Sequence, residues 1–476
     1  MPLIHINDKP IEAAAGQTVM QVAVANGIYI PYFCWHPALS NAGNCRICMV
    51  EVEGSGLDIS CNMPVWEGMK VYTESEAVKE QRKLIMQMIT LNHPVDCGIC
   101  DKAGECTLQD YHFAYNGEAS VSHEPKVRST KFHDLSSRIV LDNERCIVCS
   151  RCVRFTREIS KSNSLGIVNR ADHSMIRAAE DKPLENDPYS DNIVDLCPVG
   201  ALLSRDFMYK ARVWYLKPTP SVCPGCERGC AINIWHRKPE WQLRGLEARK
   251  NTCIERITPL ENPAVNGPWI CNKGRDLART FERPRALEPM QKGKVVTQAE
   301  AEKAAAALIK AARRPVALVS SWGSDEELAA FADHLAARFD CRVKPDCRPE
   351  PDEILEDELL IRADKNPNGH TAKARFGDRG PELPADADLV LVWGEGRDFS
   401  TLPPQARIVF LNAWLAPENG HADVFIPTTI QTERNGHYTN FAGVTSAFEA
   451  CFPRAGNAVD AEAVFGRIGA ALGGAP

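Results

Sequence analysis

The spacing of apolar positions predicts short strands and helices over the first part of the chain. Apolar residues alternate over Leu3–Ile6, a polar turn follows, and Ile11 resumes the alternation. Such alternation is typical of a strand hairpin. A short helix is predicted from Thr18 to Asn26, and a strand with a turn begins at Val50. Hairpin, helix and further strands in this order favour a small β-grasp module over residues 2–76.

A helical pattern then runs from Glu76 to Leu91 and ends at His93-Pro94. Beyond residue 295 the pattern of apolar and polar residues changes. Thr297 with Glu300 forms a capping-box signal for an Ala-rich helix that extends to about Arg313. Strands at 316–320, 388–393 and 408–411 alternate with helical stretches such as 325–338, which predicts an α/β layer with a parallel sheet. Residues 364–384 are rich in Asn, Gly, Pro and charge, and predict a mobile loop.

Charge and hydropathy exclude some classes of protein. The net charge of −7 over 476 residues gives no basic footprint for nucleic acid. No apolar run approaches the roughly 20 residues that span a bilayer. The N-terminus lacks the basic and apolar regions of a signal peptide. We therefore expect a cytoplasmic protein that reaches a membrane only through partners.

The cysteines indicate metal binding. There are 19, and all but Cys341, Cys347 and Cys451 lie within the first 271 residues. A chain without a secretion signal is expected to keep its thiols reduced, so dense and patterned cysteines favour metal sites over disulfides. The three scattered cysteines are interpreted as plain buried thiols.

The first cysteine group comprises Cys34, Cys45, Cys48 and Cys61, with the spacing C-x10-C-x2-C-x12-C. Four thiolates and a glycine-bearing loop at Gly43 suit a [2Fe–2S] cluster. The first gap is longer than in the plant-type spacing. Zinc is the competing metal, but zinc sites usually take two compact pairs of cysteines and this group has one.

The second cysteine group comprises His93, Cys97, Cys100 and Cys106. A neutral imidazole in place of one thiolate would make a cluster less negative and shift its potential. By ligand count alone, zinc on one histidine and three cysteines is the competing interpretation, and His93 could also simply end the helix.

The third cysteine group comprises Cys146, Cys149 and Cys152 with the distant Cys197-Pro198. C-x2-C-x2-C with a remote Cys-Pro is diagnostic of a [4Fe–4S] cluster. The basic residues Arg145, Arg151 and Arg154 either stabilise the anionic cluster or are solvated charges.

The fourth cysteine group comprises Cys223, Cys226 and Cys230, completed by either Cys253 or Cys271. C-x2-C-x3-C again fits three corners of a [4Fe–4S] cluster. Zinc has no redox chemistry, whereas four groups in succession suit electron transfer.

These motifs resemble the large iron–sulfur subunit of NADH:quinone oxidoreductase, respiratory complex I. The resemblance covers roughly residues 1–280. Its most specific segment is His93-Pro-Val-Asp-Cys-Gly-Ile-Cys-Asp-Lys-Ala-Gly-Glu-Cys106, and Arg145-Cys-Ile-Val-Cys-Ser-Arg-Cys152 and Asp195-Leu-Cys-Pro-Val-Gly200 also match. The resemblance implies a [2Fe–2S] cluster on the first group and [4Fe–4S] clusters on the second, third and fourth. Trp269-Ile-Cys-Asn-Lys-Gly-Arg275 favours Cys271 as the last ligand. The gap of 40 residues before it is longer than is usual in the family.

The C-terminal part resembles the family's molybdopterin-oxidoreductase-like region, notably at 422–429 and 433–443. It is much shorter than the full enzyme domain and offers no metal ligand that we can locate, so a scaffold without molybdopterin is expected. The fold class is thus a multidomain α+β and α/β chain. The expected domains are a 2Fe-2S β-grasp domain, a 4Fe-4S domain with one histidine, a ferredoxin-like 4Fe-4S domain, a 4Fe-4S domain of the Mo/W type and a shortened α/β domain, at 1–78, 79–120, 121–215, 216–285 and 286–476.

The resemblance implies an electron-relay subunit that passes electrons from a flavin- and NADH-binding subunit towards quinone, within the peripheral arm of an assembly on the cytoplasmic side of the inner membrane. No acid, base or nucleophile constellation appears in the sequence, so no catalytic residue is expected in the chain itself. Three alternatives remain: the relay subunit of an NAD-linked hydrogenase or formate dehydrogenase, a catalytic molybdopterin enzyme, and a structural zinc protein.

Overall fold

The computed structural model describes residues 1–169 and 171–473. The chain divides into two compact units, the first spanning Met1–Leu216 and the second beginning at Lys217. Among the described residues, no helix has both the length and the apolar character needed to cross a membrane.

The first unit combines a five-stranded sheet with several shorter elements. Its strands are β1 Leu3–Ile6, β2 Lys9–Glu12, β3 Met49–Val52, β4 Gly56–Ile59, β5 Lys70–Tyr72, β6 His133–Asp134, β7 Ile139–Leu141, β8 Leu165–Val168, β9 Met175–Ala178 and β10 Leu202–Ser204. Its helices are α1 Val19–Ala25, α2 Glu76–Asn92, α3 Thr107–Tyr111, α4 Arg151–Glu158 and α5 Asn192–Leu196.

The predicted β-grasp arrangement is present at the start of the chain. The sheet has the order β2-β1-β5-β3-β4, with β1 parallel to β5 and antiparallel to β2. Asn7 and Asp8 both adopt positive φ, of 49° and 64°, which gives the tight turn between β1 and β2. Helix α1 begins with a capping box between Thr18 and Gln21 and packs on the sheet through residues such as Val19.

Helix α2 ends directly before His93, the first residue of the second cysteine group. Ser75 caps its first turn, and the helix ends at Asn92, one residue past the predicted end. Arg82 of α2 is fully buried and donates to the Glu74 carboxylate at 2.9 Å and to the Met49 carbonyl at 3.0 Å. These bonds fix α2 against β3, so that the helix terminus has a defined place.

The described part of the second unit holds a three-stranded, a seven-stranded and a two-stranded sheet. Its strands are β11 Leu216–Val222, β12 Ala231–Arg237, β13 Arg256–Pro259, β14 Met290–Gln291, β15 Lys294–Val295, β16 Pro315–Ser320, β17 Asp340–Lys344, β18 Leu389–Trp393, β19 Arg407–Asn412, β20 Val424–Pro427, β21 Gly436–Thr439 and β22 Thr445–Phe448. Its helices are α6 Asn272–Arg275, α7 Leu277–Phe281, α8 Gln298–Ala311, α9 Asp325–His334, α10 Gly369–Phe376, α11 Glu418–His421 and α12 Ala461–Ala471.

The predicted parallel α/β layer is confirmed. The large sheet has the order β15-β14-β20-β19-β18-β16-β17, and the pairs from β20 through β17 are parallel. The capping box of α8 between Thr297 and Glu300 is also present. Phe331 of α9 lies at the centre of the core, with its ring 5.1 Å from that of Phe465.

The prediction of a loop over 364–384 is wrong in part, because helix α10 lies within this range. Ala372 is fully buried, and the Phe376 ring contacts the Phe331 ring with centroids 5.7 Å apart. Ala372 and Phe376 are four positions apart and share one helix face, which anchors the helix despite its polar surroundings.

Candidate iron–sulfur sites

The structure brings the four thiols of the first cysteine group together. Cys34 and Cys45 are within hydrogen-bond reach, as are Cys34 and Cys61, and Cys48 and Cys61. Thiol hydrogen bonds from Cys45 and Cys61 lower the pKa of Cys34, and the same contact with Cys34 raises the pKa of Cys61. Gly43 has a φ of 61°, which lets the loop wrap around Cys45. Four converging thiols fit a cluster held by four thiolates.

The second cysteine group lies between the end of α2 and the start of α3. Cys100 and Cys106 are buried, whereas Cys97 is exposed. His93 Nδ1 is buried and, among the described residues, has no hydrogen-bond partner. Burial lowers the pKa of His93 to about 4, so its imidazole is neutral at pH 7 and able to bind a metal. A buried imidazole nitrogen without a partner fits a ligand that this site holds when it is loaded.

A paired arginine stands beside the second group. Arg145 is buried and forms ion pairs with Asp96 at 2.7 Å and with Asp142 at 3.2 Å. Lys131 contacts the same two carboxylates at 2.8 and 3.2 Å. Although burial opposes the shift, hydrogen bonds from Arg145 and Lys131 lower the pKa of Asp96 to about 2. The positive charges here are therefore balanced by protein carboxylates.

The third cysteine group lines one cavity. Cys146, Cys149, Cys152 and Cys197 surround about 340 Å³ of empty space, its open side included, together with apolar residues such as Leu141 and Ile176. Val148 and Ser150 have φ values of 50° and 63°, and the Val148 N–H donates to Cys146 Sγ at 3.4 Å.

Burial raises the pKa of Cys149 to about 11 and that of Cys146 to about 12. Buried thiols of this kind become thiolates when a metal supplies the compensating charge, so the donor set fits a cluster.

The fourth cysteine group lies in the β11–β12 connection and at the start of α6. Gly225 donates its N–H to Cys223 Sγ at 3.4 Å. A Cβ built on Gly274 would lie 3.4 Å from Cys223 Sγ and 3.9 Å from Cys271 Sγ, so both thiols face the same glycine. Cys253, the alternative ligand, is partly exposed, and its thiol donates to the Arg249 carbonyl at 3.5 Å. The structure thus brings Cys271 beside the other thiols.

Over the part of the chain that the structure describes, no set of three or more His, Cys, Asp or Glu side chains is arranged to hold one metal ion. The ligands of a cluster bind several different irons, so they need not surround a single ion. The scattered Cys341, Cys347 and Cys451 are each partly buried.

The second unit also has a crevice that the sequence did not reveal. It lies at the carboxyl ends of β16 and β18, where the strand order reverses direction, and holds about 540 Å³ with its open side included. Trp322, Trp393 and Trp414 line it. Its charges are paired: Arg434 contacts Glu327 at 2.9 Å, and Lys344 contacts Asp346 at 2.7 Å. The signal for this crevice in the sequence was the presence of charged residues directly after buried strands.

Converging thiols on a β-grasp module and on ferredoxin-like loops define an iron–sulfur protein. Four family models match in succession: a 2Fe-2S iron-sulfur cluster binding domain at 3–76, the NADH-ubiquinone oxidoreductase-G iron-sulfur binding region at 82–120, the ferredoxin-like domain of NADH-quinone oxidoreductase subunit 3 at 136–203, and the molybdopterin oxidoreductase Fe4S4 domain at 216–283.

Individual proteins are also similar in sequence to this chain. An NADH-quinone oxidoreductase subunit of Rickettsia typhi is 40% identical over 271 residues, which is 57% of this chain and 38% of the relative. The mitochondrial NADH dehydrogenase [ubiquinone] iron-sulfur protein 1 of Solanum tuberosum is 37% identical over 291 residues, which is 61% and 37%. Over its N-terminal part the chain is therefore similar to these NADH dehydrogenase subunits, and it spans less than half of their length.

Two further likenesses lie outside complex I. The NADPH-Fe(3+) oxidoreductase subunit alpha of Geobacter sulfurreducens is 34% identical over 327 residues, which is 68% of this chain and 36% of the relative. A chain of an NAD+-reducing [NiFe]-hydrogenase crystal structure is 29% identical with a TM-score of 0.41, covering 44% of this chain and 91% of that chain.

Proposed function

We propose that this chain is the iron–sulfur electron-relay subunit of a complex I-type NADH:quinone oxidoreductase. The observation that carries the proposal is the convergence of buried thiols at separate places along the chain, with the buried and unpartnered His93 Nδ1 at one of them. The clusters would supply one-electron transfer. The chain's own contribution is to hold each cluster in place and to tune it by burial and charge, with no bond-making site of its own.

The proposed ligands follow the four groups. Cys34, Cys45, Cys48 and Cys61 would hold one [2Fe–2S] cluster. Three [4Fe–4S] clusters would be held by His93, Cys97, Cys100 and Cys106, by Cys146, Cys149, Cys152 and Cys197, and by Cys223, Cys226, Cys230 and Cys271. Cys271 is preferred to Cys253 because the thiols of Cys271 and Cys223 both lie beside Gly274. The proposed domains are those expected from the sequence, at 1–78, 79–120, 121–215, 216–285 and 286–476.

The proposed partners are a flavin- and NADH-binding subunit and the other peripheral-arm subunits, on the cytoplasmic side of the inner membrane. Neither nucleic acid nor a bound molybdopterin is part of the proposal. The crevice of the second unit carries charges that the protein already pairs, which supports a scaffold role for it.

A second candidate is the relay subunit of another NAD(P)-linked oxidoreductase, such as a hydrogenase or formate dehydrogenase. The similarity to the Geobacter NADPH-Fe(3+) oxidoreductase subunit favours it. Affinity purification of the chain from its own cells separates the two. Recovery of membrane proton-pump subunits supports complex I, whereas a nickel–iron or molybdenum catalytic subunit supports the alternative.

The deciding experiment is metal analysis with EPR spectroscopy on anaerobically purified protein. We expect ~14 iron atoms per chain, from one [2Fe–2S] and three [4Fe–4S] clusters, and reduced-cluster signals after dithionite. Stoichiometric zinc without such signals would replace the proposal with a structural zinc protein. Stoichiometric molybdenum or tungsten would make the second unit an enzyme domain.

A further inference from the structure

A buried arginine connects the loops of the first and third cysteine groups. Arg154 on α4 is only 7% exposed. Its Nη atoms donate to the carbonyls of Cys34 and Ser40 in the first loop and, at 3.4 Å, to the carbonyl of Cys149 in the third. Its Nε donates to Ser150 Oγ at 3.2 Å. The guanidinium thus binds both loops at once, and one of its acceptors, the Cys34 carbonyl, lies 120 residues before Arg154 in the sequence.

A second arginine on the same helix repeats the connection. Arg151 is 8% exposed and lies one turn before Arg154. It donates to the Trp35 carbonyl at 2.6 Å and to the Leu196 carbonyl at 3.1 Å, and these residues are the direct neighbours of Cys34 and Cys197. Its guanidinium also lies over the Tyr32 ring at 5.6 Å. Both arginines therefore touch both loops.

Among the residues that the structure describes, neither arginine is paired with a carboxylate. Within the described residues, no acidic side chain comes within ion-pair distance of Arg151 or Arg154. Glu158 is the acidic residue nearby, but it accepts hydrogen bonds from the Ser40 N–H at 2.8 Å and the Ser40 hydroxyl at 2.5 Å. Arg145, by contrast, forms ion pairs with Asp96 and Asp142.

Two unbalanced positive charges in a buried position are costly unless an anion is present. Carbonyl dipoles satisfy the N–H groups but carry no net charge. The groups that act electrostatically on Arg154 and can carry negative charge are, in order of strength, the thiols of Cys34 and Cys149 and the Glu158 carboxylate, and Arg151 also interacts with Cys149. Clusters bound by four thiolates carry net negative charge, which would balance the two arginines.

We propose that Arg151 and Arg154 are positioning residues that supply a shared counter-charge to the first and third cluster sites and hold their loops together. This inference rests on the proposed function, because it assumes that both groups hold clusters. Reduction adds negative charge, so positive charge nearby stabilises the reduced form. Removing either arginine should therefore make both sites harder to reduce.

The test is an EPR-monitored redox titration of the anaerobic full-length chain carrying Arg154→Gln, Arg154→Lys or Arg151→Gln. For R154Q we expect the equilibrium constant for reduction of the [2Fe–2S] site to fall about tenfold, which is about 59 mV for a one-electron couple. The third-group signal should shift in the same direction. R154K keeps the charge but cannot reach all the carbonyls, so its midpoints should lie between those of R154Q and the native chain. R151Q should shift the third-group signal at least as much as the [2Fe–2S] signal.

The matched control is Arg157→Gln, which removes an exposed arginine from the same helix and should leave both midpoints unchanged. Equal midpoints for R154Q and R157Q, or equal shifts for R154Q and R154K, would overturn the counter-charge role. If R154Q loses a cluster that R154K retains, the role of charge is supported. If both lose it while the second-group signal persists, the arginine is purely structural and the inference fails. A native chain without cluster signals would instead refute the proposed function.

Discussion

Gly200 lies against the thiol of Cys100, so closely that a Cβ built on Gly200 would be 2.1 Å from Cys100 Sγ. The same Cβ would be 3.2 Å from Lys102 Cβ. Gly200 follows Cys197 of the third cysteine group by three residues, whereas Cys100 belongs to the second. The backbone of one site thus forms a wall of the other, and a side chain has no room there.

Gly200→Ala should displace Cys100 and impair the second site. Overpacking of this kind costs about 1–3 kcal/mol of folding free energy, and Cys100 cannot move without leaving its co-ligands. We expect the second-group EPR signal to disappear with the loss of up to ~4 iron atoms per chain, the content of one [4Fe–4S] cluster. Iron analysis together with EPR of the reduced protein measures both effects.

Gly98→Ala provides the control, because Gly98 lies between Cys97 and Cys100 and a Cβ built on it meets nothing within 4 Å. This variant should keep its iron and its spectrum. A Gly200→Ala protein with the native iron content and an unchanged second-group signal would contradict the assignment of Cys100 to this site.

His93→Cys should retain the second cluster but lower its midpoint potential. A thiolate in place of the neutral imidazole adds one negative charge to the site, which disfavours the reduced form. Histidine ligation raises cluster potentials in other iron–sulfur proteins, so we expect a shift on the order of 100 mV to more negative values. The measurement is a redox titration followed by EPR.

Exposed His123 offers a matched control, since His123→Cys adds a thiol at a surface position. Its titration should coincide with that of the native chain. If His93→Cys and His123→Cys both behave like the native protein, His93 is not a ligand and only ends helix α2.

Local elements were predictable where one short stretch of sequence contains the whole signal. The capping box of Thr297 and Glu300 and the helical spacing of 76–91 both correspond to observed helices. Each of these helices is stabilised by contacts within its own residues and by one apolar face. Helix α10 was missed because only Ala372 and Phe376 mark its buried face among polar neighbours.

Contacts between distant segments were not predictable in the same way. The spacing of cysteines indicated the compact part of each group, such as Cys146, Cys149 and Cys152, whereas distant members such as Cys271 were assigned through the family resemblance. Nothing in the sequence near Arg154 indicates a bond to Cys34, and nothing near Gly200 indicates a thiol at Cys100. Both contacts form between loops that are distant in sequence, so they depend on how those loops pack in the folded chain.

Cys271→Ser and Cys253→Ser separate the two candidates for the last ligand of the fourth cysteine group. We expect C271S to lose the fourth cluster, lowering the iron content from ~14 to ~10 atoms per chain. C253S should keep all of its iron, because its thiol already donates to the Arg249 carbonyl in a partly exposed position. The opposite pattern would make Cys253 the ligand, and iron loss in neither variant would contradict a cluster at this group.

Asp388, directly before strand β18, binds the turn between helix α8 and strand β16 in the second unit. Its carboxylate accepts hydrogen bonds from the backbone N–H groups of Arg313 at 2.7 Å and Arg314 at 2.9 Å. The bond from Arg313 is the largest cause of a lowered pKa for Asp388. A lowered pKa in the folded state means that the ionised carboxylate stabilises the fold.

The stabilisation by Asp388 should be complete above the usual aspartate pKa of about 3.9 and should fade as the pH falls through the lowered value. Asp388→Asn keeps the shape but removes the charge. We therefore expect its urea midpoint to be lower than that of the native chain at pH 7, and the two midpoints to converge as the pH drops below about 4. Glu382→Gln, at an exposed position in the preceding loop, should show no such difference. A deficit of D388N that persists unchanged into acid would mean that the side chain acts through packing and not through its charge.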